Sequence, residues 1–141
     1  MKQAIISTED KRFYKHNGID YRGIMRAVVA MIQDGEVTQG GSTITQQLAR
    51  TVFLSNERTW ERKIEEMYIA VELEKKYSKE EILEFYLNNV YFANGYYGIE
   101  AAAQGYFGTD VSHLSLSQMI YLCAIPNNPT LYNPLTHADK T

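Results

Sequence analysis

The stretch "NERTWERKIEEMYIAVELE" (residues 56–74) decides the fold class. Its large apolar residues recur at positions i, i+4, i+7, i+8 and i+11, a period that predicts an amphipathic α-helix. The residues that set this period are Trp60, Ile64, Met67, Tyr68 and Val71. The alternating period of a β-strand is almost absent from the chain, so the sequence predicts an all-α protein.

Further helices are predicted on both sides of this stretch. Two begin with capping boxes, Thr43-x-x-Gln46 and Ser78-x-x-Glu81, whose side chains satisfy free backbone N–H groups. An earlier apolar stripe is predicted to end in the loop "DGEVTQGG" (34–41), and "SLSQMIYLCAI" (115–125) is predicted to be a last, mostly buried helix. The helix after Ser78 is predicted to direct inward Ile82, Leu83, Tyr86, Leu87 and Val90.

Length and composition fit a single domain over residues 1–141. The net charge of −3 argues against a nucleic-acid partner, because nucleic-acid-binding domains are basic. The single cysteine, Cys123, excludes an internal disulfide and a cysteine-cluster metal site. No apolar run approaches the ~20 residues that a membrane-spanning helix needs. We therefore expect the chain as given to be soluble.

Two interpretations of the charged face of residues 56–74 are open. Arg58, Arg62 and Glu66 are spaced at i, i+4 and i+8, so a helix places them on one face. They are either a solvated Arg–Glu ladder or a cationic strip that holds a phosphate, with Glu66 kept ionised by the arginines.

The stretch "GGSTITQQLAR" (40–50) has more uncharged polar side chains than a helix start requires. One or two of them serve as caps. The remaining groups are suited to hydrogen bonds with sugar hydroxyls or phosphate oxygens, and a helix N-terminus favours an anion.

The stretch "STEDKRFYKHNG" (7–18) contains adjacent carboxylates, Glu9 and Asp10. Such a pair is more often solvated surface than an active site, and His16 is more often structural than catalytic. On a continuous helix, Phe13 at i+4 would be an apolar neighbour of Glu9 and would raise its pKa toward that of a general base.

In their order along the chain, these three stretches resemble motifs of the peptidoglycan glycosyltransferases. This family (glycosyltransferase family 51) is the transglycosylase domain of class A penicillin-binding proteins and of monofunctional cell-wall polymerases. "EDKRFYKHNG" (9–18) is similar to ED-x-x-F-x-x-H-x-G, and "GGSTITQQLAR" is similar to the second motif. "RKIEEMYIAVELE" (62–74) is similar to R-K-x-x-E-x-x-x-A-x-x-L-E, and "KEEILEFYLNNVYF" (79–92) to the fourth motif. The motifs cover most of residues 4–108.

The resemblance implies a role for each matching residue. Glu9 takes the position of the base that deprotonates the 4-hydroxyl of the acceptor sugar. Glu66 takes the position of the second important glutamate, which assists the leaving diphosphate directly or by organising a cation. Substrate-binding positions are implied for Asp10, Phe13, His16, Gly18, Ser42, Thr43, Gln46, Gln47, Arg50, Arg58, Arg62 and Lys63. The family commonly has lysine at position 50. Arg50 keeps the phosphate-binding charge there but is a poor proton donor.

The resemblance also implies an activity, partners and a location. The reaction is the polymerisation of lipid II into glycan strands, with inversion and release of undecaprenyl diphosphate. The implied partners are lipid II, the growing glycan strand, the membrane surface, moenomycin-type inhibitors and a transpeptidase domain in a longer chain. The location is the extracytoplasmic face of the bacterial cell membrane. No cofactor is required; a divalent cation could join the diphosphate near Glu9, Asp10 and Glu66, but without metal-ligand spacing no metal site is predicted.

The implied fold is lysozyme-like, with a larger head lobe and a smaller, membrane-facing jaw at about residues 19–57. The family normally has a membrane helix before the first motif and an Arg-containing fifth motif, so we expect the chain to be truncated at both ends. The closest alternative is a lysozyme-like enzyme that cleaves glycan strands. A cationic strip around Glu66 favours the polymerase, because a hydrolase has no diphosphate to hold.

Overall fold

The computed structural model describes residues 1–34, 41–55, 57 and 59–140, without the side chains of Met31 and Asp34. Its α-helices are α1 (Lys2–Glu9), α2 (Tyr21–Asp34), α3 (Ile44–Phe53), α4 (Trp60–Lys76), α5 (Lys79–Asn89), α6 (Ile99–Phe107) and α7 (Leu116–Ala124). Short 3₁₀ turns occupy Val111–His113 and Ile125–Asn127. Within the described ranges, the only β pairing is an isolated bridge between Tyr91 and Tyr97. The prediction of an all-α fold is confirmed.

Both predicted capping boxes are present. The Thr43 hydroxyl accepts the Gln46 backbone N–H, and the Gln46 side chain accepts the Thr43 backbone N–H. Ser78 and Glu81 make the same reciprocal bonds at the start of α5. These contacts fix the first residues of α3 and α5, because they satisfy N–H groups that have no partner within a helix.

The core is built around α3, which packs against α4 and α5, while α1 packs against α7. All the residues of α5 that were predicted to point inward are buried, as is Phe13. The ring of Phe13 lies beyond α1, because that helix ends at Glu9. The continuous helix on which Phe13 would neighbour Glu9 is therefore not formed, and the Phe13 ring lies 4.6 Å from the Lys79 ammonium.

Gly18 allows the loop after α1 to approach α4 closely. Its φ is +101°, and a Cβ atom there would lie 2.8 Å from the backbone C and O of Ala70. Both the left-handed backbone and the lack of space require glycine at this position. The first motif is thereby held directly against α4.

Most of the apolar residues whose spacing predicted α4 do not lie on the face of this helix that packs against the core. Trp60 is 83% exposed, and Ile64 and Tyr68 are 66% and 67% exposed. The buried residues of α4 are Glu66, Ala70 and Leu73. Exposed apolar side chains also occur on α2 and at the end of α3: Tyr21, Met25, Val28, Val29, Ile32, Val52 and Phe53.

Two other sequence predictions concern the last helix and the loop at 34–41. The last helix, α7, is not mostly buried, because Leu116 and Ile120 are exposed and only Leu122 and Cys123 of that helix are buried. The predicted loop at 34–41 falls almost entirely on residues 35–40, which lie outside the described part of the chain.

Candidate active site

Glu9 is the last residue of α1, and its carboxylate faces α3. The Gln47 side-chain amide donates to Glu9 Oε2 at 3.2 Å. The other oxygen, Oε1, is buried and accepts no hydrogen bond of good geometry from the described residues. Burial raises the pKa of Glu9 above its ordinary value, and the amides of Gln47 and Asn127 offset part of this increase. A partly buried carboxylate with a raised pKa is suited to accept a proton.

Asp10, next to Glu9, has a different environment. Its Oδ2 is 2.6 Å from His16 Nε2 and accepts the backbone N–H of Ile44 at 3.0 Å. The backbone N–H of Gly18 donates to His16 Nδ1 at 3.0 Å, so the His16 proton lies on Nε2 and is donated to Asp10. Both side chains are buried. Asp10 and His16 thus join the first motif to the start of α3.

The polar residues at the start of α3 also have internal partners. The Thr43 hydroxyl donates to the Gly18 carbonyl at 2.6 Å, and the Thr45 hydroxyl donates to Glu74 Oε1 at 2.7 Å. Gln46 is fully buried and forms half of the capping box. Most of the polar excess predicted for ligand binding is therefore used to attach α3 to its neighbours.

Glu66 on α4 is surrounded by cations. Its side chain is 2% exposed, Lys63 Nζ lies 2.6 Å from Oε1, and Arg50 Nη1 lies 3.9 Å from Oε2. Lys63 also donates to the Ser42 hydroxyl at 2.8 Å. Arg62 is half-buried and lies 3.7 Å from Glu65. Arg58 lies outside the described residues, so its place in the strip stays a prediction.

One turn of α3 connects the two glutamates. Gln47 contacts Glu9, and Arg50, three residues later, faces Glu66. Residues at i and i+3 are neighbours on a helix surface, with Cβ atoms ~5–6 Å apart. The carboxylate with a raised pKa and the cationic cluster are therefore adjacent.

A cleft of about 170 Å³ opens beside Glu9. Glu9 and Ser42 share its wall, so the cleft reaches from the first motif to the residue that Lys63 contacts. The lining residues are Thr8, Glu9, Asp10, Lys11, Asp20, Arg26, Gly41, Ser42 and Thr43.

The predicted site residues form two groups. Those with solvent-accessible side chains are Glu9, Ser42, Gln47, Arg50, Arg62 and Lys63. Those that are buried are Asp10, Phe13, His16, Gly18, Thr43, Gln46 and Glu66. A substrate can touch the first group directly, whereas Glu66 is reached through Lys63 and Arg50.

Sequence reasoning missed three residues that support the site. Glu74, the last acid of the third motif, accepts Lys79 at 2.7 Å as well as Thr45. Lys79 also donates to the His16 carbonyl at 2.7 Å. The Tyr86 hydroxyl donates to Gln47 Oε1 at 3.2 Å. Glu74, Lys79 and Tyr86 lie within the third and fourth motifs, a signal that could have marked them.

The described residues include no group of three or more His, Cys, Asp or Glu side chains that could hold a metal ion. In the same part of the chain, no helix combines the length and hydropathy required to cross a bilayer.

Comparison with known proteins agrees with this geometry. A family model described as Transglycosylase matches residues 1–141. The chain belongs to the transglycosylase family. It is 50% identical over 141 residues to penicillin-binding protein 4 of Bacillus subtilis, covering 100% of this chain and 23% of that protein. It is 49% identical over 140 residues to penicillin-binding protein 1A of Escherichia coli, covering 99% and 16%.

A third relative is penicillin-binding protein 1A of Aquifex aeolicus, 48% identical over 137 residues, which cover 97% of this chain and 19% of that protein. This transglycosylase chain spans about a fifth of the length of these relatives. Family membership confirms the resemblance seen in the motifs. The role of each site residue rests on the geometry above.

Proposed function

We propose that the protein is a peptidoglycan glycosyltransferase that polymerises lipid II. The observation that carries this proposal is the adjacency of two unlike carboxylates across α3. Glu9 is partly buried with a raised pKa, whereas Glu66 is enclosed by Lys63 and Arg50. The first environment suits a base and the second suits an anionic leaving group.

On the acceptor side, Glu9 is the general base. A sugar hydroxyl is a poor nucleophile at neutral pH, so a positioned carboxylate contributes ~10²–10⁴-fold to the rate. The acceptor 4-hydroxyl oxygen attacks the anomeric carbon of the donor, and its proton passes to Glu9.

On the donor side, the bond between the anomeric carbon and the diphosphate oxygen breaks, and undecaprenyl diphosphate leaves with inversion. Arg50, Lys63 and Arg62 stabilise the charge that develops on the diphosphate. Glu66 holds Lys63 and Arg50 in place, since it is buried between them. This arrangement follows the logic of an inverting glycosidase, with a sugar hydroxyl in place of water.

The buried motif residues are proposed to position the site rather than touch the substrate. The Asp10–His16 pair, Thr43 and Gly18 connect the first motif to α3 and α4. Gln46 completes the cap of α3, the helix that presents Gln47 and Arg50. Their effect on catalysis is then to fix the relative places of Glu9 and the cations.

The exposed apolar side chains of α4 and α2 are proposed to meet the membrane in which the lipid substrate is anchored. Trp60, Ile64 and Tyr68 on α4 and Met25 and Ile32 on α2 are large, apolar and exposed. Amphipathic helices with such faces lie in the membrane interface. This supports a reaction at a membrane surface, and we propose the extracytoplasmic surface, where the proposed substrate is found.

The test is polymerisation of purified lipid II by the chain, with products resolved by length. We expect glycan strands from the wild type and a polymerisation rate lower by ~10²–10⁴-fold in Glu9→Gln. Moenomycin is expected to inhibit the reaction in competition with the donor. Polymeric glycan serves as a second substrate: if shorter products form from the polymer and none from lipid II, the polymerase proposal is wrong and the glycan-cleaving alternative is correct.

A further inference from the structure

The fourth motif reaches the active site through a single side chain. Tyr86 on α5 is 1% exposed, and its hydroxyl donates to Gln47 Oε1 at 3.2 Å. The other end of the same amide donates to Glu9 Oε2 at 3.2 Å. A continuous chain of hydrogen bonds therefore runs from the core of the protein to the proposed base.

When Glu9 is ionised, the donors and acceptors of these two hydrogen bonds can be arranged in only one way. A glutamine amide has an oxygen that only accepts and a nitrogen that only donates. If the amide were turned over, its oxygen would face the Glu9 carboxylate and both acceptors would repel each other. The Tyr86 hydroxyl, as a donor, stabilises the orientation that presents the Gln47 N–H to Glu9.

The Tyr86 hydroxyl keeps its proton, and so remains a donor, throughout the pH range in which the protein is studied. Burial, followed by the negative charge of Glu9, raises the pKa of Tyr86 well above its ordinary value. The hydroxyl is also held in a packed environment, since Tyr86 is among the largest fully buried side chains of the core. It therefore has little freedom to leave Gln47 for water.

We propose that Tyr86 is a positioning residue for Glu9, which acts by holding the Gln47 amide in the orientation that donates to the carboxylate. This inference rests on the proposed role of Glu9 as the base and extends it to a residue that does not touch the substrate. Its consequence is a Glu9 carboxylate whose direction and basicity depend on α5.

Other titratable groups also face Glu9. Asp10 follows it in the chain, and the charge of Glu9 raises the pKa of Cys123 on α7. Arg50 on α3 and Asp10 act on Tyr86. The effect of the Tyr86 hydroxyl is distinguishable from theirs by its dependence on Gln47.

The direct test is a titration of the Glu9 carboxyl followed by ¹³C NMR, assigned from the signal lost in Glu9→Gln. In Tyr86→Phe we expect the titration to move to higher pH, because the carboxylate loses an ordered donor. The polymerisation rate on the acid limb of the pH profile should fall roughly three- to tenfold. Tyr106→Phe is the matched control: that half-buried hydroxyl donates to the Phe92 carbonyl at 2.6 Å, and its loss should leave Glu9 unchanged.

A double-mutant cycle identifies the path. If Tyr86 acts through Gln47, Tyr86→Phe has no further effect on Glu9 in a Gln47→Ala background. Three outcomes would each overturn the inference. The first is a shift that persists in the Gln47→Ala background, the second is an equal shift in Tyr106→Phe, and the third is a Glu9 titration that does not move in Tyr86→Phe. Gln47→Met tests the same bond without altering the core, and an unchanged Glu9 titration in that variant also overturns it.

The titration does not require activity, so the two proposals fail separately. A wild-type chain that makes no glycan from lipid II, while Glu9 shifts as expected in Tyr86→Phe, contradicts the proposed function and supports the positioning role. An active wild type with an unmoved Glu9 titration contradicts the positioning role alone.

Discussion

Asp10 Oδ2 and His16 Nε2 lie 2.6 Å apart in a buried hydrogen bond. The Gly18 backbone N–H fixes the tautomer of His16, and the Ile44 N–H occupies the same Asp10 oxygen. Two adjacent acids of one motif thus have different roles. Asp10 is used to connect segments of the fold, whereas Glu9 is half-buried and has a raised pKa.

Removal of Asp10 is expected to destabilise the fold. Asp10→Ala leaves the N–H groups of His16 and Ile44 without an acceptor, and we expect a loss of about 2–4 kcal/mol in the free energy of unfolding. Urea denaturation measures this value. The control is Asp110→Ala, which breaks an exposed Asp–His pair with His113 and a 3₁₀ cap and should cost only about 1 kcal/mol. Similar losses in both variants would contradict the structural role.

The pH dependence of Glu9→Gln follows from the raised pKa of Glu9. A carboxyl whose pKa is raised by folding contributes stability that is present below its unfolded pKa and is lost as pH rises through its folded pKa. Replacing it with a neutral amide should therefore raise the melting temperature at pH 8 and have little effect at pH 4. The same variant should lose ~10²–10⁴-fold in polymerisation. A variant less stable than the wild type at pH 8 would argue against this explanation.

Lys63 is expected to support both stability and diphosphate binding. Lys63→Met leaves the buried Glu66 carboxylate with Arg50 alone, and we expect a loss of roughly 1–3 kcal/mol in stability, measured in urea. The double variant with Glu66→Met removes the unpaired charge and should recover stability but not activity. Lys75→Met is the control, since Lys75 pairs with Glu72 on the surface. If the double variant is as unstable as the single one, the charge of Glu66 is not the cause.

The two constraints on Gly18 can be separated experimentally. In Gly18→Ala the new residue must adopt a φ of +101°, and its Cβ atom would lie 2.8 Å from the backbone of Ala70. In Gly95→Ala the φ is +82°, but no atom lies within 4 Å of the added Cβ. Gly95→Ala should cost roughly 1–2 kcal/mol for the left-handed backbone alone. Gly18→Ala should cost clearly more, because α4 must also move. Equal melting temperatures for the two variants would show that the contact with Ala70 is unimportant.

The exposed apolar face should affect membrane binding rather than folding. Trp60→Ser and Ile64→Ser remove side chains that are 83% and 66% exposed, so each should change stability by less than about 0.5 kcal/mol. Each should weaken binding to phospholipid vesicles by roughly tenfold, measured by co-sedimentation. Leu116→Ser and Ile120→Ser remove exposed apolar groups from α7 and serve as controls. Equal weakening by the controls would mean that binding is not specific to the α4 face.

Local sequence was sufficient for the helices and their starts. The Thr43–Gln46 and Ser78–Glu81 boxes form as predicted, because each involves residues within one turn and depends on no other part of the chain. The apolar face of α5 was also predicted correctly, and its residues are buried because α5 packs against α3. The motif resemblance, which depends on order and spacing, identified the family that the comparisons confirm.

The sequence by itself thus determined the all-α fold, the helix starts and the chemistry available at the site. Only the tertiary structure decided which polar groups are free for a substrate. Asp10, Thr43 and Thr45 have partners 25 to 34 residues away in the chain, and no local pattern contains such contacts. The same reason applies to the stripe of Trp60 and Ile64: periodicity shows that a helix has an apolar face, but only packing decides whether that face is buried.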